Sequence, residues 1–189
     1  MKIVLGITGA SGAMYGIRLL EVLQQKGHDI ELIISPWAEK TIHFETDYTL
    51  ADIRPLAAKV YNFDNLAAAV SSGSYHVDAT VIAPCSMKTL AAIAHGYTDN
   101  LISRTADVAL KEKRKLILVP RETPLNVIHL ENMKIIAAAG GILLPPMPSF
   151  YHMPKTIDDI INQTIGKILD CLNISHNLFD RWGETNIRD

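Results

Sequence analysis

The first sixteen residues, MKIVLGITGASGAMYG, change hydrophobic pattern midway, and that change restricts the fold more than anything later in the chain. Lys2 to Ile7 is a short apolar run rich in β-branched residues, the pattern of a buried strand. From Ser11 the spacing turns helical. Ala13, Gly16, Ile17, Leu20 and Leu23 share one face, and Arg18, Glu21, Gln24 and Gln25 share the other. Between the two patterns Gly6, Gly9 and Gly12 punctuate a tight turn. A strand, a glycine-rich loop and a helix in that order gather backbone N–H groups and the positive end of a helix dipole. Such a place suits phosphate or another anion. Ser11 stands at the expected N-cap, where its hydroxyl serves either the helix or the ligand. The spacing G-x-x-G-x-x-G is neither the dinucleotide fingerprint nor a P-loop. The loop therefore points to a phosphate-bearing ligand without naming it, and its plainer reading is a turn that only closes the joint.

The same alternation continues. Strands are predicted at Asp29–Ile34, Val77–Ala83, Lys115–Val119 and Ile142–Leu144. Helices are predicted at Pro36–Glu45, opened by Ser35 as N-cap and Pro36 as first residue, and at Thr49–Lys59, Asn100–Lys113, Leu125–Ala139 and Thr156–Cys171. A further alanine-rich helix follows Pro84-Cys-Ser-Met-Lys-Thr89, and residues 60–76 form a long polar connection. Strands alternating with helices predict an α/β fold in three layers, a parallel sheet with helices on both faces. The unusual residues fall after strand ends, at 6–12, 35–37, 84–89, 120–124 and 145–151. Ligands of open α/β sheets bind at the carboxyl ends of strands, so these segments should share one rim.

Composition excludes several classes. A chain of 189 residues with 48% hydrophobic and 20% charged residues has the material for a substantial core. A net charge of −2 with no basic block gives no electrostatic support for nucleic acid binding. No apolar run has membrane-spanning length, and the loop after Ile7 argues against a signal peptide. The two cysteines, Cys85 and Cys171, suggest no disulfide framework, which fits a cytoplasmic protein. No His/Cys/Asp/Glu spacing resembles a zinc site, so no structural metal is expected.

Several side chains on the expected rim carry chemistry. Ser86 and Thr89 are helix caps or hydroxyl donors to a ligand. Arg121-Glu122, held between prolines, is a phosphate grip or a surface ion pair. Cys85 follows a buried strand and reads as an inert thiol. Tyr151, His152 and Lys167 are weaker candidates, and Trp182 is unusual in a polar tail.

Taken together, the motifs resemble those of the UbiX-type flavin prenyltransferases, most of all the subgroup associated with phenolic acid decarboxylases. The segments are Gly6-Ile-Thr-Gly-Ala-Ser-Gly12, Glu45-Thr-Asp47, Ser71-Ser-Gly-Ser74, Pro84 to Thr89, Ala106-Asp-Val-Ala-Leu-Lys111, Val119-Pro-Arg-Glu-Thr-Pro124 and Pro145-Pro-Met-Pro-Ser-Phe-Tyr151, in register from residue 2 to about 182. The resemblance implies that FMN receives a dimethylallyl group on N5 and C6 from dimethylallyl phosphate, without metal. The prenylated FMN then passes to a UbiD-type decarboxylase. It implies FMN contacts at Gly9, Ala10, Ser11, Ser35, Ser86, Met87, Lys88, Thr89 and Arg121. It places Ser11, Lys111, Arg121 and Glu122 around the dimethylallyl phosphate group, with Tyr151 on the phosphate. Glu45 corresponds to a proton-transfer acid near N5 and Trp182 to an aromatic wall. Relatives carry arginine where this chain has Lys167, which keeps the charge and loses the planar fork. The resemblance further implies a homododecamer with sites between subunits, a flavoprotein-like FMN-binding domain over 1–172 and a tail over 173–189.

Two other readings share the fold. A flavin-dependent cysteine decarboxylase would carry asparagine where Lys88 sits and a Pro-x-Met-Asn motif that is absent at Pro120 to Asn126. A non-enzymatic FMN carrier would have no use for Lys111, Arg121, Glu122 and Tyr151.

Overall fold

In the computed structural model, which describes residues 1–183, the strands in chain order are β1 (Lys2–Ile7), β2 (Asp29–Ile34), β3 (Lys59–Tyr61), β4 (Ala79–Cys85), β5 (Lys115–Pro120) and β6 (Ile142–Leu143). The helices are α1 (Ala13–Gln25), α2 (Pro36–Glu45), α3 (Leu50–Ile53), α4 (Met87–Ala94), α5 (Leu101–Lys111), α6 (Val127–Ala138) and α7 (Ile157–Leu172). All six strands pair in parallel in the order β3-β2-β1-β4-β5-β6. The chain divides into two compact units, Met1–Pro145 and the residues from Pro146 on. The sequence-based division after residue 172 leaves α7 with the larger part, whereas the compact units group it with the tail.

Within the first unit the pleat sends successive residues to opposite layers. Gly6 faces the Ile102 side chain of α5, where an added Cβ would lie 3.2 Å from Ile102 Cγ2. Its neighbour Ile7 faces Gly16 of α1. Gly16 is needed for that contact, since a Cβ there would run into the Ala83 carbonyl. Helices thus cover both faces, and β1, β4 and β5 are buried along almost their whole length, as a parallel sheet between two helical layers requires. One layer of core joins Val4, Ile33, Ile82, Leu116 and Leu118 of the sheet to Leu90, Ile102 and Ala106 of the helices.

The three-layer α/β architecture agrees with the expectation, and one element does not. The helix predicted over Thr49–Lys59 is only α3 followed by a 3-10 turn at Arg54–Leu56, and Lys59 opens edge strand β3. Pro55 has no N–H to continue the helical ladder, so the turn tightens and the chain leaves it extended. At three residues, β3 is too short to show a period.

Candidate active site

Strand order reverses between β1 and β4, so the loops that leave these strands diverge and open a crevice at their carboxyl ends. The crevice is stitched at its base. The buried Thr8 donates from its hydroxyl to the Pro84 carbonyl (2.8 Å) and accepts from the Ser86 N–H (2.8 Å). Two helices begin here with serine caps. Ser35 accepts from the Ala38 N–H at 3.1 Å to open α2, and Ser86 accepts from the Thr89 N–H at 3.3 Å to open α4. Between them lies a cavity of about 600 Å³ whose lining includes Thr8, Gly9, Ser35, Trp37, Lys88 and Thr89, together with Phe63, Tyr97 and Asn100. Gly9 is fixed by packing, because a Cβ there would sit 2.5 Å from Trp37 Cβ.

The N-terminus of α1, read from sequence as the phosphate site, already holds an anion. The N-cap is Gly12, in left-handed conformation (φ 101°), and not Ser11 as the spacing suggested. Glu45, the last residue of α2, brings one carboxylate oxygen to the Gly12 N–H (2.8 Å) and the Ala13 N–H (3.0 Å). Ser11 donates its hydroxyl to the same carboxylate, and Arg121 stands close enough to act on it by charge. Arg121 Nε also donates to the Ser11 carbonyl at 3.0 Å. Partial burial pushes the Glu45 carboxyl up, but the Ser11 hydroxyl, the two backbone N–H groups and Arg121 outweigh it and hold the group below the ordinary carboxylate range. Glu45 is therefore ionised at neutral pH. With Glu45 on the first N–H groups of α1, the serine-capped starts of α2 and α4 are the helix ends beside the cavity.

The other predicted residues separate into groups. Ser35, Ser86, Lys88, Thr89 and Gly9 line the cavity, and Ser11, Glu45 and Arg121 form one cluster. Ala10 is buried, and Met87 packs against the core cluster. Glu122 is exposed and accepts from the Thr123 N–H at 3.0 Å. Cys85 is fully buried, and burial pushes its thiol well up, as expected of an inert thiol. Lys111 pairs with Glu112 at the end of α5, just before β5 begins, so it sits at the opposite end of the sheet from the Ser11 cluster. Tyr151, Lys167 and Trp182 belong to the second unit. There Tyr151 and Trp182 meet edge to face with ring centroids 5.7 Å apart, and Lys167 Nζ lies 3.6 Å from Asp170 Oδ2.

The flavoprotein family model matches residues 1–177. Among curated proteins, the flavin prenyltransferase UbiX of Methanocaldococcus jannaschii is 52% identical, over 97% of this chain and 99% of its own length. Among solved structures, AnUbiX (PadA1) in complex with FMN and dimethylallyl pyrophosphate superposes with a TM-score of 0.96 at 49% identity, covering 98% of each chain. The chain belongs to the UbiX-type flavin prenyltransferases. A dodecameric FMN-dependent UbiX-like decarboxylase from Escherichia coli O157:H7 also matches, with a TM-score of 0.94 at 46% identity over 96% of this chain and 99% of its own. Two cysteine decarboxylases share the fold alone, at 17–20% identity.

In this UbiX-type chain the sequence reading placed Thr8 and Trp37 on the rim without a role, and missed Phe63, Tyr97 and Asn100 among the cavity residues. Asn100 had a signal, since it caps α5 by accepting from the Ser103 N–H at 3.0 Å. Trp37 follows Ser35-Pro36 and had one too. Tyr97 lies in a connection with no period to read.

Proposed function

We propose that this chain transfers the dimethylallyl group of dimethylallyl phosphate to reduced FMN. The prenylated FMN serves a UbiD-type decarboxylase. The observation that carries the reading is the Ser11–Glu45–Arg121 cluster beside the crevice at the switch point, in a chain about half identical to flavin prenyltransferases along its length. The cavity suits FMN in kind. Hydroxyl-capped helix ends at Ser35 and Ser86 suit the phosphate, and Trp37, Phe63 and Tyr97 supply flat walls for a ring system.

When bound, reduced FMN supplies the nucleophilic positions N5 and C6. The chain's own residues manage charge. As the allylic C–O bond breaks, its electron pair leaves with the phosphate, and the Arg121 guanidinium meets that growing negative charge. By the resemblance, Tyr151 serves the leaving phosphate through its hydroxyl, and Trp182 is the aromatic wall for the positive allyl group. Glu45 Oε2, held ionised, is set to accept a proton rather than to give one. Cations take the place of a metal in this scheme.

Lys111 reaches such a site only from another copy of the chain. The apolar face of α6 supports assembly, with Val127 73% and Ile128 70% exposed on a single protomer. A homododecamer with sites completed between copies accounts for both. Both cysteines are free thiols, which supports a place in the reducing cytoplasm. No described helix is long and apolar enough to cross a membrane. Incubating the protein with reduced FMN and dimethylallyl phosphate, in parallel with the pyrophosphate, and weighing the flavin by mass spectrometry tests the reading. Prenylated FMN should form from the monophosphate and persist with EDTA present. Unmodified flavin with both donors would overturn it.

A further inference from the structure

Asp170 sits on α7 in the second unit, apart from the motifs that mark the chain's chemistry, yet it gathers several partners. Arg181 donates to both of its oxygens, at 2.7 Å to Oδ1 and 3.1 Å to Oδ2, the bidentate pairing of guanidinium and carboxylate. His176 Nε2 approaches Oδ1 at 3.1 Å. The tautomer follows from the other ring nitrogen. Nδ1 accepts the Leu178 N–H at 3.2 Å, so the proton of the neutral ring is on Nε2 and is donated to Asp170. The His176 side chain is 1% exposed, so this pairing is internal. The Arg181 hydrogen bond, opposed by burial and joined by the Arg181 charge and the His176 hydrogen bond, leaves the Asp170 carboxyl below its ordinary range.

A second, steric feature acts at the same place. Gly166 lies one turn before Asp170, inside α7, where glycine costs about 1 kcal/mol against alanine. A Cβ at 166 would collide with the Phe179 ring and lie 2.6 Å from His176 Cε1. The glycine is thus the gap through which the tail crosses the helix. From Phe179 the rings continue in contact, through His152 at 6.2 Å and Tyr151 to Trp182. Arg181 itself lies 5.6 Å from the Phe179 ring centroid.

We infer that Asp170 and Gly166 are positioning residues, which clamp the tail across α7 so that Trp182 stands edge-on to Tyr151 as a fixed wall for the allyl group. The anchoring stands on the second unit alone, while its consequence for the reaction rests on the proposed roles of Tyr151 and Trp182. Asp170 touches no reacting atom. It fixes Arg181, and Trp182 is the next residue. A wall that wanders loses orientation of the donor, while the FMN cavity of the first unit is untouched.

The test uses the full chain, in which Trp37 and Trp182 are the two tryptophans, and takes as the Trp182 signal the emission that is lost in Trp182→Phe. Into it go Asp170→Asn, which removes the charge, and Gly166→Ala, which keeps the charge, favours the helix and fills the gap. Circular dichroism and FMN titration confirm that each variant is folded and loads flavin. Both variants should make Trp182 emission more quenchable by acrylamide, and both should raise KM for dimethylallyl phosphate on the order of tenfold with FMN affinity unchanged. Trp182 emission and quenching identical to the parent in both variants would overturn the clamp. Increased quenching with an unchanged KM would uphold the clamp and remove Trp182 from the reaction.

Discussion

Glu45 and Asp170, two of the carboxylates held below their ordinary range, are held there by different means. Glu45 is held by the fold itself, through the backbone N–H groups of Gly12 and Ala13 at the start of α1 and the Ser11 hydroxyl. Asp170 is held by side chains, Arg181 and His176, that arrive from the tail beyond its helix. The first arrangement persists as long as β1, α1 and α2 are in place, so on the proposed reading Glu45 can take a proton without releasing a segment of the chain. The second is itself the structure, since the bonds to Asp170 are what place the tail. On the proposed reading, donors fixed in the backbone at a helix start suit a reactive group, whereas side chains supplied by the tail 6 and 11 residues on make an anchor.

Glu45→Gln should break the first half of that comparison with the largest effect. Glutamine keeps the length and can still accept from Gly12 and Ala13 through its oxygen, but it cannot take a proton. Turnover should fall about 100-fold or more, the scale of lost general acid–base catalysis. FMN affinity should hold, as measured by fluorescence titration. A small fall in turnover would make Glu45 an anchor like Asp170.

A smaller effect separates the two carboxylates by stability. Both are depressed below ordinary values of 4.5 and 3.8. The stability each adds is complete above its ordinary value and is lost as pH falls through the depressed one. Asp170→Asn should lower Tm at pH 7 by about 2–4 °C, the shift that 1 kcal/mol produces in a chain of this size. Glu45→Gln should lower it less, because its donors keep an acceptor. In each case the gap to the parent should close as the parent's carboxyl becomes protonated. A gap that persists in acid would mean that packing, not charge, was lost.

The first half of this comparison was more legible in the sequence than the second. Ser35-Pro36 announced the start of α2, and the β-branched runs announced β1, β4 and β5, because those signals are local. Glu45 was legible as a family residue, but its seat on α1 was not, since it depends on contacts 32 and 33 residues apart. The loop spacing therefore made the α1 terminus look open when the fold closes it. Asp170 was invisible as one more acid on an amphipathic helix. The trace it left was Gly166, a glycine inside a helix with no local reason to be there.

Lys167 connects the two halves and carries the smallest expected effect. Read from sequence as the substitute for an arginine that grips phosphate, it would be worth the roughly 1.5–3 kcal/mol of a shielded charge-assisted bond. In the structure its side chain is 51% exposed and its ammonium lies 3.6 Å from Asp170 Oδ2. An exposed pair of that kind contributes about 0–1 kcal/mol, so Lys167→Ala should raise KM for dimethylallyl phosphate no more than roughly fivefold. Asp170 then decides what the lysine does. If Lys167 serves the donor phosphate, alanine should raise KM by the same factor whether residue 170 is aspartate or asparagine. If Lys167 only helps neutralise Asp170, its effect should disappear in the Asp170→Asn background, because the partner charge is gone. The geometry favours additivity, since Arg181 already binds both oxygens of Asp170 and leaves the more distant ammonium available to a second anion. Full loss of the Lys167 effect in the double variant would assign the lysine to the anchor and, on the proposed reading, leave the phosphate to other cations such as Arg121.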